Sequence, residues 1–138
     1  MKLRKLTPIL WTKNLQETIT FYVDILGFTC RYQVDRFAAL KRDDIEIMTV
    51  IPVDEPEDCK APENNEDFFP KPHFTGSIYI DTENVDELWE QIKDKVTVKY
   101  EIGNQEWLVR DFSIWDNNGY EIVFGQDISK EAKQQTGF

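Results

Sequence analysis

The stretch "NLQETITFYVDILGF", Asn14 to Phe28, decides the fold, because its pattern is written twice in this chain. Leu15, Ile19, Tyr22 and Ile25/Leu26 recur at helical spacing, Asn14 is a good N-cap, and Glu17 three residues on completes a capping-box pattern. Gly27 supplies the stop. Before the helix stands a short apolar strand, "TPILWT". After it come "TCRYQV", "FAALKR" and "IEIMTVIP", three strands separated by polar turns at Asp35-Arg36 and Asp43-Asp44.

The same order then returns. "SIYIDT" reads as a strand and "NVDELWEQIKDKV" as a helix opened by Asn84 and Glu87. "VKYEI" parallels "CRYQV", with Tyr100 answering Tyr32. "RDFSIWDNNGYEIVFGQ", Arg110 to Gln126, closes the unit as two alternating strands about Asp116-Asn117-Asn118-Gly119, residues that tolerate the backbone angles of a hairpin turn. The chain therefore reads as an α+β protein of two tandem βαβββ modules, one over about residues 5–51 and one over about 73–126. One helix covers one face of a four-stranded sheet, so the other faces are expected to form a curved mixed sheet around a groove. Residues 52–72, acidic, proline-rich and carrying Phe68-Phe69, are expected to be a lid or linker. A polar tail follows from 127 to 138.

Composition narrows the function. At 138 residues the chain is one domain by size. Aromatic residues make up 13% of it, an excess that points to a ligand groove or an interface. Sixteen Lys and Arg against twenty-six Asp and Glu give a net charge of −10, which repels nucleic acid and anionic membranes and attracts cations. No run is long and apolar enough to span a bilayer, and "MKLRKLTPILW" has no cleavage site, so a cytoplasmic protein is expected. Cys30 and Cys59 match no zinc or redox spacing and read as reduced thiols.

Three segments, "ILWTKNLQETITFYVDILGF", "GSIYIDTENVDELWEQI" and "WLVRDFSIWDNNGYEIVFGQ", occur in this order, and with the strands between them resemble the vicinal oxygen chelate superfamily of glyoxalase I, extradiol dioxygenases and bleomycin resistance proteins. The likeness extends from Leu6 to Gln126. Catalytic members of that superfamily hold a divalent metal through four side chains, and matching the motifs places those positions at Thr7, Glu46, Ser77 and Val123. Of these only Glu46 is a metal donor of the usual kind. The sole histidine, His73, lies four residues before Ser77, about 13 Å away at roughly 3.3 Å per residue of strand. Glu101 and Glu121 remain donors for a different arrangement. No metal and no cofactor are expected.

The late segment is similar to the bleomycin-resistance branch, whose pattern is met here by Trp107, Arg110, Asp111, Phe112, Asp116, Gly119, Phe124 and Gly125. That resemblance implies an antibiotic-resistance type of function: a homodimer holding a small, cationic or aromatic molecule without a metal. The implied ligand-binding residues are Glu46, Trp107, Arg110, Ser77, Tyr79, Met48, Thr7 and Val123. The alternative is a superfamily lyase, isomerase or dioxygenase that uses Glu46 as base or metal ligand.

Each of these residues also has a plainer reading. Glu46 alternates onto a face with Met48 and Val50, an apolar setting that would raise its pKa and suit it to capture a cation or a proton; paired with an arginine, it would be structural. Trp107 stacks on a ligand or caps the sheet, Arg110 anchors an anion or forms an ion pair beside Asp111, and Tyr79 and Trp11 line the groove or fill the core. Ser77, His73 and Asp81 would stand in a straight row on one strand, too far apart for a nucleophilic relay. The acidic run Asp54 to Asp58 lacks the glycine and spacing of a calcium loop.

Overall fold

A computed structural model describes residues 1–52 and 75–130, which form two compact units, one from each stretch. The joining segment, with Cys59, Phe68-Phe69 and His73, and the tail beyond Lys130 lie outside the described residues. The first unit runs β1 (Ile9–Trp11), α1 (Leu15–Thr20), β2 (Thr29–Val34), β3 (Phe37–Arg42) and β4 (Ile45–Val50). The second runs β5 (Ile78–Asp81), α2 (Val85–Ile92), β6 (Thr97–Asn104), β7 (Val109–Trp115) and β8 (Glu121–Asp127). The protein is thus α+β, built of two tandem βαβββ modules. Among the described residues, no helix is long and apolar enough to cross a membrane.

Each module makes its own four-stranded mixed sheet, ordered β1-β4-β3-β2 in the first and β5-β8-β7-β6 in the second. The strand before the helix lies parallel to the last strand, and the other pairings are antiparallel. A helix is what such a parallel return requires, since parallel neighbours cannot be joined by a tight turn.

The helices start where the sequence puts them. The side chain of Asn14 accepts from Glu17 N at 3.0 Å, and that of Asn84 accepts from Glu87 N at 3.3 Å. The first helix does not stay α-helical to its end. Phe21–Ile25 form a wider π-helical turn, in which Leu26 N bonds Phe21 O. Gly27 then reverses the chain at φ +73, and Arg42 Nη1 donates to Leu26 O at 2.7 Å, placing a cation at the helix C-terminus.

In the first core Leu15, Ile19, Tyr22 and Leu26 from the helical segment are buried, with Leu10, Ala38, Leu40 and Ile47 from the sheet. In the second, Trp89 of α2 packs on Phe112 at 5.0 Å between ring centroids, and Phe112 on Phe124 at 5.3 Å. Thr49, also buried on the helix-facing side of its sheet, is the exception in chemistry. Its hydroxyl has no hydrogen-bond partner among the described residues.

Two outcomes follow for stability. Asn14→Ala and Asn84→Ala should each destabilise by about 1 kcal/mol through loss of a cap. Thr49→Val should stabilise by about 1 kcal/mol, since the shape is kept and an unpaired buried hydroxyl removed. Denaturant titrations of the three variants check both; a destabilised Thr49→Val would mean that the hydroxyl is satisfied.

Candidate functional site

Residues paired across a sheet share a face, so the strand registers sort every side chain. In the first module the face away from α1 carries Ile9, Met48, Ala39 and Tyr32 in one row and Trp11, Val50, Phe37 and Val34 in the next. It is an apolar surface, on which Ile9, Tyr32 and Val34 are exposed. Glu46 lies on the same face, buried.

Glu46 is held by two cations. Arg31 donates from Nε to Oε1 at 2.7 Å, and Lys5 Nζ bonds Oε2. Arg31 can reach because a bulge between Cys30 and Tyr32 interrupts the β2–β3 register. The expectation of a raised pKa is corrected here. Hydrogen bonds from Lys5 and then Arg31 outweigh burial and hold the Glu46 carboxyl below its ordinary value. A carboxylate clamped in this way is a weak proton acceptor, and its lone pairs are already engaged.

The second module repeats the device with other residues. Glu121 accepts from Lys99 Nζ at 2.8 Å and from Ser113 Oγ at 2.7 Å. Lys99 stands in a bulge between Val98 and Tyr100, as Arg31 does between Cys30 and Tyr32, and its ammonium lies 5.2 Å from the centre of the Trp115 ring. Burial alone would raise Glu121, but the bonds from Lys99 and Ser113 bring its carboxyl below the usual range. Registers fix the equivalence: Met48 faces Ile9 where Val123 faces Tyr79, so Glu46 corresponds to Glu121 and Met48 to Val123.

The helix-free face of the second module is polar and aromatic. Tyr79, Val123, Ser113 and Tyr100 form one row across it; Asp81, Gly125, Asp111 and Gly103 form the next. Tyr79 is 51% exposed while Asp111 is buried at 3%. Asp111 accepts from Gln105 Nε2 at 2.9 Å and is hydrogen-bonded to Tyr100. Burial, then the charge of Asp111 and that bond, push the Tyr100 phenol up to about 12. Burial and the charges of Asp81, Asp111 and Asp127 raise Tyr79 as well. Among the described residues, neither Asp81 nor Asp111 is paired with a Lys or Arg.

The remaining expected site residues lie elsewhere within their own modules. Trp107 sits on the β6–β7 turn, 68% exposed, beside Leu108, whose φ of +64 is unusual for a side chain of its size. Arg110 lies on the face toward α2, bonded through Nε and Nη2 to Asp86 and through Nη1 to Asn104, so it does not share a face with Tyr79. Thr7 is half-buried just before β1, and Ser77 is exposed just before β5. The donor set does not fit the metal of the catalytic superfamily members: Val123 offers no donor and Glu46 is neutralised by cations. Among the described residues, no group of three or more His, Cys, Asp or Glu side chains is arranged to hold a metal ion.

Comparison with known proteins agrees with this architecture. The family model of the Glyoxalase/Bleomycin resistance protein/Dioxygenase superfamily matches residues 5–124. A bleomycin resistance protein of Geobacillus stearothermophilus is 30% identical over 128 residues, covering 88% of this chain and 95% of that protein. Two solved structures share the fold. One is a bleomycin-binding protein of Streptomyces verticillus complexed with copper(II)-bleomycin, with TM-score 0.66, 20% identity and coverage of 90% and 96%. The other is the bleomycin resistance determinant encoded on transposon Tn5, with TM-score 0.69, 16% identity and coverage of 91% and 98%. The fold is a double βαβββ scaffold, and the chain belongs to the Glyoxalase/Bleomycin resistance protein/Dioxygenase superfamily.

The clamp on Glu46 makes stability depend on acid. A carboxyl whose folded-state pKa is lowered contributes stability above its unfolded value and loses it as pH falls through the folded one. Stability should therefore drop as pH falls below about 4.5, and Glu46→Gln should flatten part of that drop. Denaturation midpoints measured from neutral pH to pH 3 check this (roughly the carboxylate window); an unchanged slope in the variant would show that Glu46 is not clamped in solution.

Proposed function

We propose that this protein is a metal-independent binding protein that sequesters a small cationic or aromatic molecule, and that it works as a homodimer. The observation that carries this reading is the half-exposed Tyr79 ring beside Asp81 and Asp111, carboxylates that no Lys or Arg among the described residues neutralises. An aromatic face with unneutralised carboxylates beside it suits an organic cation, which gains from both the ring quadrupole and the charge. The net charge of −10 draws such ligands toward the protein. Trp107, exposed and without a ring partner among the described residues, offers a second stacking surface. Val123 adds apolar floor beside Tyr79, and Met48 is its counterpart in the first module.

The relatives named for bleomycin make that compound the first ligand to try. Their names support the reading, as does family membership. An enzyme that uses Glu46 as its base has less in its favour, because Lys5 and Arg31 hold that carboxylate.

Calorimetric titration with bleomycin tests the proposal. Binding should proceed in chelator-treated protein, weaken as salt rises, and fall about tenfold in Tyr79→Ala and in Trp107→Ala, the scale of a lost aromatic contact. Wild-type affinity in both variants would remove the site. Metal analysis should find no stoichiometric zinc, nickel, iron or manganese; one tightly held metal per chain would favour an enzyme.

A further inference from the structure

The row Asp81, Gly125, Asp111, Gly103 alternates a carboxylate with no side chain at all across four strands. The two glycines differ in what they permit. A Cβ on Gly103 would meet nothing within 4 Å. One on Gly125 would lie 2.5 Å from Cε2 and from the hydroxyl oxygen of Tyr79, and 2.8 Å from its Cζ. A Cβ does not approach non-bonded heavy atoms that closely, so the Tyr79 ring occupies space that only a glycine leaves open.

Tyr79 is the diagonal neighbour of Gly125 on the helix-free face, since Tyr79 pairs with Val123 and Asp81 with Gly125. The ring therefore leans across β8 rather than standing away from the sheet, with its other side open to solvent. This places an exposed π surface beside Asp81, from its own strand, and Asp111, which faces Gly125 from β7. A ring that stood upright would keep its apolar area and lose its place among the charges.

We propose that Gly125 is a positioning residue that makes this surface selective for an organic monocation, an alkylammonium or guanidinium group, by letting the Tyr79 ring lie beside Asp81 and Asp111. The proposal rests on the binding function given above and names the class of group bound. With any side chain at 125, the ring is driven off β8 and the cation loses either the ring or the carboxylates. The obstructing atoms belong to the far end of a side chain, so the backbone has no need to move.

The test is a nuclear magnetic resonance titration of wild type, Gly125→Ala, Tyr79→Leu and the double variant with phenethylammonium chloride. Gly125→Ala should weaken binding at least fivefold, Tyr79→Leu by a similar factor, and the double variant no further, because both changes remove the same interaction. The pH titration of the Tyr79 ring gives a readout that a merely structural glycine would not move. In wild type the phenol is held above its ordinary value of 10.0, and in Gly125→Ala it should return toward it. A folded Gly125→Ala with wild-type affinity, or losses that add in the double variant, would overturn the proposal. If Gly125→Ala fails to fold, wild-type affinity in Tyr79→Leu overturns it equally. Wild type that binds bleomycin but not phenethylammonium refutes monocation selectivity alone, whereas wild type that binds neither refutes the binding function itself.

Discussion

A single short helix can cover only one face of a four-stranded sheet, and the rest of this structure depends on that limit. Each module buries its helix-facing side with Leu, Ile, Phe and Tyr side chains, as a small hydrophobic core must. The other face has no helix of its own module over it. Because strand residues alternate, core and surface are set by the same registers, and a slip of one residue would exchange them.

The two helix-free faces use one plan for different ends. Both modules place a carboxylate at the same register, Glu46 and Glu121, and neutralise it with a cation lifted out of a bulge in the strand two places away, Arg31 and Lys99. Beyond that carboxylate the faces diverge. The first continues with Ile9, Met48, Ala39 and Tyr32, apolar save for one phenol. The second continues with Tyr79, Val123, Ser113 and Tyr100, and then with Asp81, Gly125 and Asp111. The repeated module is the frame, and on the second face it carries a polar, acidic surface where, among the described residues, Asp81 and Asp111 have no Lys or Arg partner. Among the described residues no Lys or Arg is paired with the buried Asp111, whose hydrogen-bond donors are Gln105 and Tyr100.

Most of the fold was legible in the sequence. Asn14 with Glu17 and Asn84 with Glu87 mark helix starts by local chemistry, and the turns at Asp35-Arg36, Asp43-Asp44 and Asp116 to Gly119 fall where polar pairs interrupt alternation. The π-helical turn at Phe21–Ile25 was not legible, since the apolar spacing there is compatible with an unbroken α-helix. The site was legible only in part. Alternation put Glu46, Met48, Tyr79 and Val123 on one kind of face, but it could not supply partners. Lys5 lies before the first strand, and Arg31 reaches Glu46 only through a bulge, which shifts parity in a way that periodicity cannot register. Of the four positions taken from the family motifs, Glu46 and Val123 are not equivalent in register, because local motif matching does not see the pairing that makes Met48 the counterpart of Val123. Arg110 could be read either way, and its bidentate contact with Asp86 depends on α2 lying over that face.

We propose the helix-free face of the second module as the binding surface. Amide chemical-shift mapping of the labelled protein during addition of bleomycin tests it most directly, because each strand reports its own face. Shifts should concentrate at Tyr79, Asp81, Tyr100, Asp111 and Gly125 while the amides of α2 stay where they were. Shifts that instead gather along Val85–Ile92 and around Arg110 would place the ligand on the opposite side of the sheet and contradict it.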